Sequence, residues 1–357
     1  MYFAQNTDLP SLDYAKTSKS SDSTPTRLAQ RSRESVDTLA GQVSSLNLSN
    51  LVETVVEGIF AGHTSRRSSL ASSDSARRSN SADSMSIAVS LANIIVIISI
   101  EWRKSWAFES HVGGWKRIVM NLFGNALKYT KSGFVHVSLR VEHAPTQESP
   151  SRAIATLEVQ DSGKGMSKSY QKHRLYCPFA QEDPMSVGTG LGLSIVRQLV
   201  TELDGTIGIH SEEGCGTTVR VTAPVEPSGA SAETLFPDSS CMLSDVRSRC
   251  QDLTMCLVGF EEHSSNESRA FGRPMPTVES ISTLKTSLKT YGADWFGMKI
   301  TEASSLKPTN CDVVVGLQSR VDLSNVDPES PPLLIFEDDP LNAHFRDVKG
   351  TTVLTQP

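Results

Sequence analysis

Four short motifs fall in order between residues 121 and 218, and they constrain the fold more tightly than anything else in the chain. They read Asn121-Leu122-Phe123-Gly124-Asn125-Ala126-Leu127-Lys128-Tyr129-Thr130, Asp161-Ser162-Gly163-Lys164-Gly165-Met166, Pro178-Phe179-Ala180-Gln181 and Gly188-Thr189-Gly190-Leu191-Gly192-Leu193. Singly each is weak, since an Asn pair also suits an exposed helix face and an Asp-Xaa-Gly-Xaa-Gly turn is commonly a plain loop. As an ordered set, with helix and strand patterns between them, they predict a cradle for a nucleotide.

Each motif answers a physical demand of ATP. Asn121 and Asn125 lie one helical turn apart and so project from the same helix face. An amide oxygen on that face is a neutral hard ligand for Mg²⁺, which keeps most of its waters and needs few protein groups. Lys128 stands near that face as a point charge for a phosphate. Asp161 ends a strand and can accept a hydrogen bond from the exocyclic amino group of adenine. Gly163 and Gly165 follow it because the backbone has to approach the base without a β-carbon in the way. Gly188, Thr189, Gly190, Leu191 and Gly192 lead into a helix whose free N–H groups and positive end suit phosphates. Between residues 166 and 187 no strong periodicity appears; this stretch predicts a mobile lid, with Phe179 packing as its hinge or wedge.

The surrounding pattern predicts two α/β units. Residues 94–98 are a β-branched run of the kind found in buried strands. Residues 115–129 carry apolar side chains at helical spacing (Ile118, Leu122, Ala126, Tyr129), and 191–203 read as a second helix. Strands are expected at 134–141 and 153–160, and a hairpin at 206–210 and 217–223 through Glu213-Gly214-Cys215-Gly216. Strands facing one layer of helices make an α/β sandwich over 94–225. Residues 1–45 are read as a disordered N-terminal region, with 46–93 a short helix and a Ser/Arg-rich linker. That linker contains Arg66-Arg67-Ser68-Ser69 and Arg77-Arg78-Ser79, which resemble sites for basophilic kinases. After a polar linker at 226–250, strands at 254–260, 298–301, 312–315, 333–336 and 351–354 alternate with helical stretches such as 278–291. That is the rhythm of a doubly wound parallel sheet.

Composition narrows the classes. A chain of 357 residues has room for two cores, and 38% hydrophobic with 21% charged residues is ordinary for a globular protein. A net charge of −6 argues against nucleic acid as a partner. The six cysteines show no short paired spacing that would suit zinc, and reduced thiols in a cytoplasmic protein are the expectation. The N-terminus carries no signal-peptide pattern, and the longest apolar run (87–100) falls short of the roughly 20 residues that a membrane span needs.

The four motifs resemble the N, G1, F and G2 boxes of the histidine-kinase ATP-binding domain, the Bergerat fold shared with gyrase-type and Hsp90-type ATPases. The text around them, Trp115-Lys116-Arg117-Ile118 and Pro178-Phe179-Ala180-Gln181-Glu182-Asp183, is especially similar to fungal hybrid histidine kinases. The resemblance covers about 94–225. It implies ATP held with Mg²⁺ at Asn125, adenine at Asp161 with Tyr129 beside the base, and phosphates near Lys128 and the 188–192 loop. Thr217 belongs to the same implied nucleotide set. It also implies transfer of the γ-phosphoryl group to a histidine within a phosphorelay.

The chain departs from that family in two respects. No His-Glu/Asp…Pro acceptor box precedes the ATP motifs: His63, the one histidine before residue 111, sits between Gly62 and Thr64. Residues 9–16 resemble the tail of a dimerisation helix, as though the chain began just after the acceptor. Asn121 also stands where the related ATPases place a basic Glu, so slow hydrolysis is expected. The C-terminal unit, 251–357, resembles a receiver domain in layout, but its first strand is read as ending at Val258-Gly259-Phe260 and its third at Val315-Gly316-Leu317, where a working receiver carries an acidic pair and an Asp. It is read as a degenerate, truncated receiver. Three readings stay open: the catalytic part of a hybrid kinase acting on a histidine from elsewhere, a nucleotide-sensing pseudokinase scaffold, and a fragment of a longer kinase.

Overall fold

The computed structural model describes residues 41–75, 94–143, 153–183, 188–228, 237–261, 278–304, 310–317, 331–336 and 351–354. Two sheets organise them. The first has seven strands: β1 (Val43–Asn47), β2 (Ile94–Ile100), β3 (Ala107–His111), β4 (Gly133–His143), β5 (Ala153–Asp161), β6 (Thr206–Glu212) and β7 (Gly216–Pro227). Their order is β1-β3-β7-β5-β4-β2, with β6 hydrogen-bonded to β7 beside this path. The β2–β4 pair is parallel and the rest antiparallel, so the sheet is mixed.

Period-two alternation sorts this sheet into two faces. Val135, Val137, Leu139 and Val141 of β4, Leu157 and Val159 of β5, and Val219 and Val221 of β7 point to one side and are buried there. Three helices cover that side: α1 (Leu48–Ser75), α2 (Val112–Tyr129) and α4 (Gly192–Glu202). A short α3 (Lys168–His173) lies between β5 and α4 in the chain. In α2 the buried set is Trp115, Ile118, Val119, Leu122, Phe123, Ala126 and Leu127, the apolar stripe of an amphipathic helix. This is an α/β sandwich, as the pattern predicts.

The N-terminal boundary differs from expectation. Residues 43–47 form β1, antiparallel to β3, and α1 begins at once behind Asn47, whose Oδ1 accepts from Asn50 N–H at 3.1 Å. Leu48, Val52, Val56 and Phe60 of α1 are buried in the same core as the α2 stripe. Residues 43–60 therefore belong to the sandwich, not to a disordered region followed by a separate short helix. The physical reason is that the helix side of the sheet extends past α2, and among the described helices α1 covers it. The dimerisation-helix remnant at 9–16 and the tract at 77–79 lie outside the described residues.

The second sheet has five parallel strands: β8 (Thr254–Val258), β9 (Lys299–Ala303), β10 (Val313–Leu317), β11 (Leu333–Phe336) and β12 (Thr351–Leu354). In spatial order they run β9-β8-β10-β11-β12, a doubly wound arrangement. All five coincide with the predicted runs. Of the expected polar linker at 226–250, residues 226 and 227 end β7 and 237–250 form α5 (Pro237–Cys250). Asp312 lies ahead of β10, where its carboxylate accepts from Thr254 N–H at 2.7 Å and pins β10 to β8. It is at the N-terminal edge of the sheet, as its place in the sequence implied. Glu337, Asp338 and Asp339 lie outside the described residues.

Among the described residues no helix is long and apolar enough to cross a membrane.

Because α1 is part of the sandwich core, Leu48→Ala should destabilise the unit carrying β4 and β5 by roughly 2–5 kcal/mol, the range for emptying a fully buried leucine site. Denaturant unfolding measures it. A loss under 0.5 kcal/mol would mean that α1 is a loosely attached appendage.

Candidate nucleotide-binding site

A cavity of roughly 270 Å³ opens between α2, the C-terminal end of β5, α3 and the loop leading into α4. Its lining includes Asn121, Asn125, Lys128, Tyr129, Asp161, Gly165, Gly188, Thr189, Gly190, Gly192 and Thr217. Sequence reasoning named all eleven. Chain segments far apart in sequence are brought to one wall by the sheet: Asp161 on β5 is the register partner of Thr217 on β7.

Asp161 is the most constrained group in the site. Its side chain is 9% exposed, and its Oδ1 accepts from Gly163 N–H at 2.9 Å. Burial pushes its carboxyl up to about 6, against the lowering influence of the Gly163 and Thr217 backbone N–H groups. Gly165 allows this loop to close. Its φ is +66°, and a β-carbon there would stand 1.9 Å from the Glu212 carbonyl oxygen. Gly163 is buried behind Asp161 and does not itself line the cavity.

At the other end, α2 presents its polar side to the start of α4. Asn121 Nδ2 donates to the Arg117 carbonyl at 2.8 Å, which leaves Oδ1 facing α4. A β-carbon on Gly192 would lie 3.0 Å from that Oδ1 and 3.4 Å from Asn125 Nδ2, so glycine permits the close contact between the two helices. The α4 N-terminus has no side-chain cap; its N-cap residue is Leu191, which stands just outside the lining. Uncapped first-turn N–H groups and the helix dipole make this end suited to anions. Lys128 is close by, its Nζ 2.9 Å from where a Gly188 β-carbon would be, and it donates to the Tyr129 hydroxyl at 2.8 Å.

The lid segment differs from expectation. It contains a helical turn, α3, capped by Ser167, whose Oγ accepts from Tyr170 N–H at 3.2 Å. Phe179 is not a packed wedge: it is 75% exposed and has a left-handed backbone, φ +63°. The chain turns there so that Ala180, the next residue, can approach the glycine loop. Tyr170 anchors the turn by donating from its hydroxyl to the Ala180 carbonyl at 3.2 Å.

The cavity also takes in residues that the motifs did not nominate. Lys164 brings its ammonium 5.0 Å from the Tyr129 ring centre, with Lys128 at 4.5 Å from the same ring. Lys164 sits inside the Asp161 motif, and its spacing could have flagged it. Tyr170, Leu175 and Glu182 reach the cavity only through the lid fold, for which no local signal exists. Glu182 is engaged, accepting from Ser167 N–H at 2.8 Å. Among the described residues no histidine lines the cavity. His111 Nδ1 is 2.6 Å from the Gly41 carbonyl and His136 Nε2 is 2.8 Å from Ser99 Oγ, so both have structural partners.

Among the described residues no group of three or more His, Cys, Asp or Glu side chains could hold a metal by itself. Any cation here would be held by an Asn amide oxygen together with oxygens of a bound ligand. Asn125, facing the α4 end beside Asn121, fits that sparse requirement of Mg²⁺.

Comparison with known proteins follows the same outline. Residues 112–227 match the family described as histidine kinase-, DNA gyrase B-, and HSP90-like ATPase. The autoinducer 2 sensor kinase/phosphatase LuxQ of Vibrio vulnificus is 37% identical over 114 residues, 31% of this chain and 13% of LuxQ. Histidine protein kinase 1 of Candida albicans is 30% identical over 178 residues, 49% of this chain and 7% of that protein. The chain thus spans a small fraction of the length of these curated relatives. Among solved structures, full-length ShkA in complex with AMPPNP aligns at TM-score 0.48 and 15% identity, over 87% of this chain and 54% of ShkA.

The raised Asp161 group has a stability consequence. A carboxyl whose folded value lies above its unfolded one contributes stability that is complete below about 4 and is lost as pH rises through about 6. Ionised Asp161 therefore costs the fold on the order of 3 kcal/mol at neutral pH, at about 1.4 kcal/mol per pH unit. Asp161→Asn should raise the melting temperature at pH 7.5 and have no such effect at pH 4.5. A variant that melts lower at pH 7.5 would show that the carboxylate is stabilised, not strained.

Proposed function

We propose that this chain, whose residues 112–227 match the histidine kinase-, DNA gyrase B-, and HSP90-like ATPase family, transfers the γ-phosphoryl group of Mg²⁺·ATP to a histidine on a separate acceptor domain. The observation that carries the reading is the pairing of a buried hydrogen-bond acceptor at Asp161 with an uncapped helix end, Lys128 and two Asn side chains across one cavity.

Each group has a task on this reading. Asp161 accepts from the adenine amino group, while the loop through Gly163 and Gly165 lets the base lie against backbone. Tyr129 flanks the base, and Thr217 supports the wall beside Asp161. The 188–192 loop and the first turn of α4 offer N–H groups to the phosphates, with Lys128 as a point charge. Asn125, backed by Asn121, would hold Mg²⁺, which supplies charge neutralisation on the phosphate oxygens. Positioning and electrostatics carry most of phosphoryl transfer, and these are the parts that the chain retains.

Hydrolysis by water is expected to be slow. Among the described residues the carboxylates lining the cavity are Asp161, at the proposed adenine end, and Glu182, tied to Ser167 N–H. The position Asn121 holds carries an amide, which cannot take the proton that an activated water would have to lose. Phosphoryl transfer then requires an acceptor histidine, and its source is a dimerisation domain of the phosphorelay type. The C-terminal unit is proposed as a degenerate receiver: its strand order fits and Glu261-Glu262 follow β8 by two residues, but β10 ends in Val315-Gly316-Leu317, without the Asp that a phosphorylation site needs.

A second reading, a nucleotide-sensing scaffold, is favoured by one observation: among the described residues no histidine faces the cavity. One assay separates the two. The chain is incubated with γ-labelled ATP, Mg²⁺ and a separately expressed dimerisation domain of a related kinase. Acid-labile, alkali-stable label on that domain, lost with Asn125→Ala or Asp161→Asn, is the expected result. ATP binding without any label would move the protein to the scaffold class.

A further inference from the structure

The outer face of the first sheet, opposite α1, α2 and α4, is not left to solvent. Ile97 and Phe134 point to it by the alternation of β2 and β4, and they are 2% and 1% exposed. What packs on β2 and β4 from this side is the C-terminal unit, through α6 (Val278–Thr290) and the π-helical turn Tyr291–Trp295 that follows. The family match at 112–227 includes neither β2 nor this second unit.

The contact is specific. Ser287 of α6, 6% exposed, accepts from Ser99 Oγ at 2.9 Å and donates to the Ile98 carbonyl at 3.3 Å. Ser99 is in turn bonded to His136 of β4. The Tyr291 hydroxyl accepts from the Ile100 N–H at 3.3 Å, and Trp295 Nε1 donates to the Ile100 carbonyl at 2.8 Å. These bonds satisfy the open edge of β2, which ends the strand order. Trp295 also packs against the core of the first unit and stands edge-on to Trp102, with ring centres 5.3 Å apart. Arg247 of α5 lies over Trp102 at 5.2 Å and donates to the Trp295 carbonyl at 3.2 Å. Finally, Glu279 at the start of α6 accepts from Gln160 Nε2 at 3.2 Å, and Gln160 is the residue before Asp161.

We propose that the C-terminal unit is a resident layer of the sandwich, docked through α6 and Trp295 on β2 and β4, and that its docking sets nucleotide affinity by bracing the strand that ends in Asp161. The unit acts as a fixed brace and not as a phosphorylated switch. The first half of the proposal stands on packing alone; the coupling half rests on the nucleotide reading of the cavity.

The test uses the full chain and three variants: Ser287→Asp and Tyr291→Phe at the interface, and Glu302→Gln as a control. Glu302 pairs with Lys285 and Lys289 within the second unit, away from β2. Amide exchange at Ile100 and along β2 reports docking, circular dichroism reports folding, and calorimetry with ADP reports the site. The expected result is exchange at Ile100 at least tenfold faster in both interface variants, with unchanged far-ultraviolet spectra. In Ser287→Asp the ADP dissociation constant should also rise about tenfold, while Glu302→Gln matches wild type in every readout. Unchanged β2 exchange in both interface variants would overturn the docking. Faster β2 exchange with ADP affinity within twofold of wild type would overturn the coupling. Failure of wild type to bind ADP, with β2 protected, would overturn the nucleotide reading and its coupling while supporting the docked layer.

Discussion

A carboxylate held almost dry at the end of β5 is the constraint on which the rest of this structure depends. Asp161 lies far above its ordinary range because burial disfavours its charge and the Gly163 and Thr217 N–H groups only partly compensate. Such a group destabilises a protein unless a ligand uses it. Keeping it in place requires β4 and β7 on either side of β5, the tight Gly163–Gly165 turn behind it, and the hairpin whose Glu212 carbonyl closes on Gly165. The cavity is therefore a property of the sheet as much as of the motifs.

The end of the cavity at α4 obeys a different rule. No side chain caps α4, and its N-terminus is brought against Asn121 and Asn125 through a close contact for which Gly192 leaves room. Positive potential comes from backbone dipoles and lysines in a preorganised frame, which costs little reorganisation when charge develops in a phosphoryl group. The ends differ in logic: on the proposed reading, one would read the base by a buried acceptor and the other would hold phosphates by uncapped N–H donors. Their separation by the length of α2 between Asn121 and Tyr129 fits a single extended nucleotide.

Much of this was legible in the sequence because the motifs encode local backbone demands. Gly165, Gly188 and Gly190 all take positive φ, and the Asn pair follows helical spacing. What was not legible depends on tertiary partners. Val43-Ser44-Ser45-Leu46-Asn47 has too little apolar character to announce a strand, and it becomes β1 because β3 offers it an edge. The run 94–100 lacks alternation because both faces of β2 are covered, yet nothing in its own text says that the second cover is α6, almost two hundred residues onward. Phe179 misled for the converse reason: its hydrophobicity suggested packing, whereas the glycine loop fixes the backbone around it and leaves the ring outside.

The most direct test of the central claim is a comparison of ATP and GTP binding by calorimetry on the full chain at pH 7.5. Guanine presents a carbonyl where adenine presents its amino group, so the Asp161 carboxylate would face a second acceptor. A site built around a buried hydrogen-bond partner discriminates strongly against a ligand that lacks the matching group. The account predicts ATP binding with GTP at least about a hundredfold weaker. Equal affinities would contradict it, since they would mean that Asp161 does not read the base.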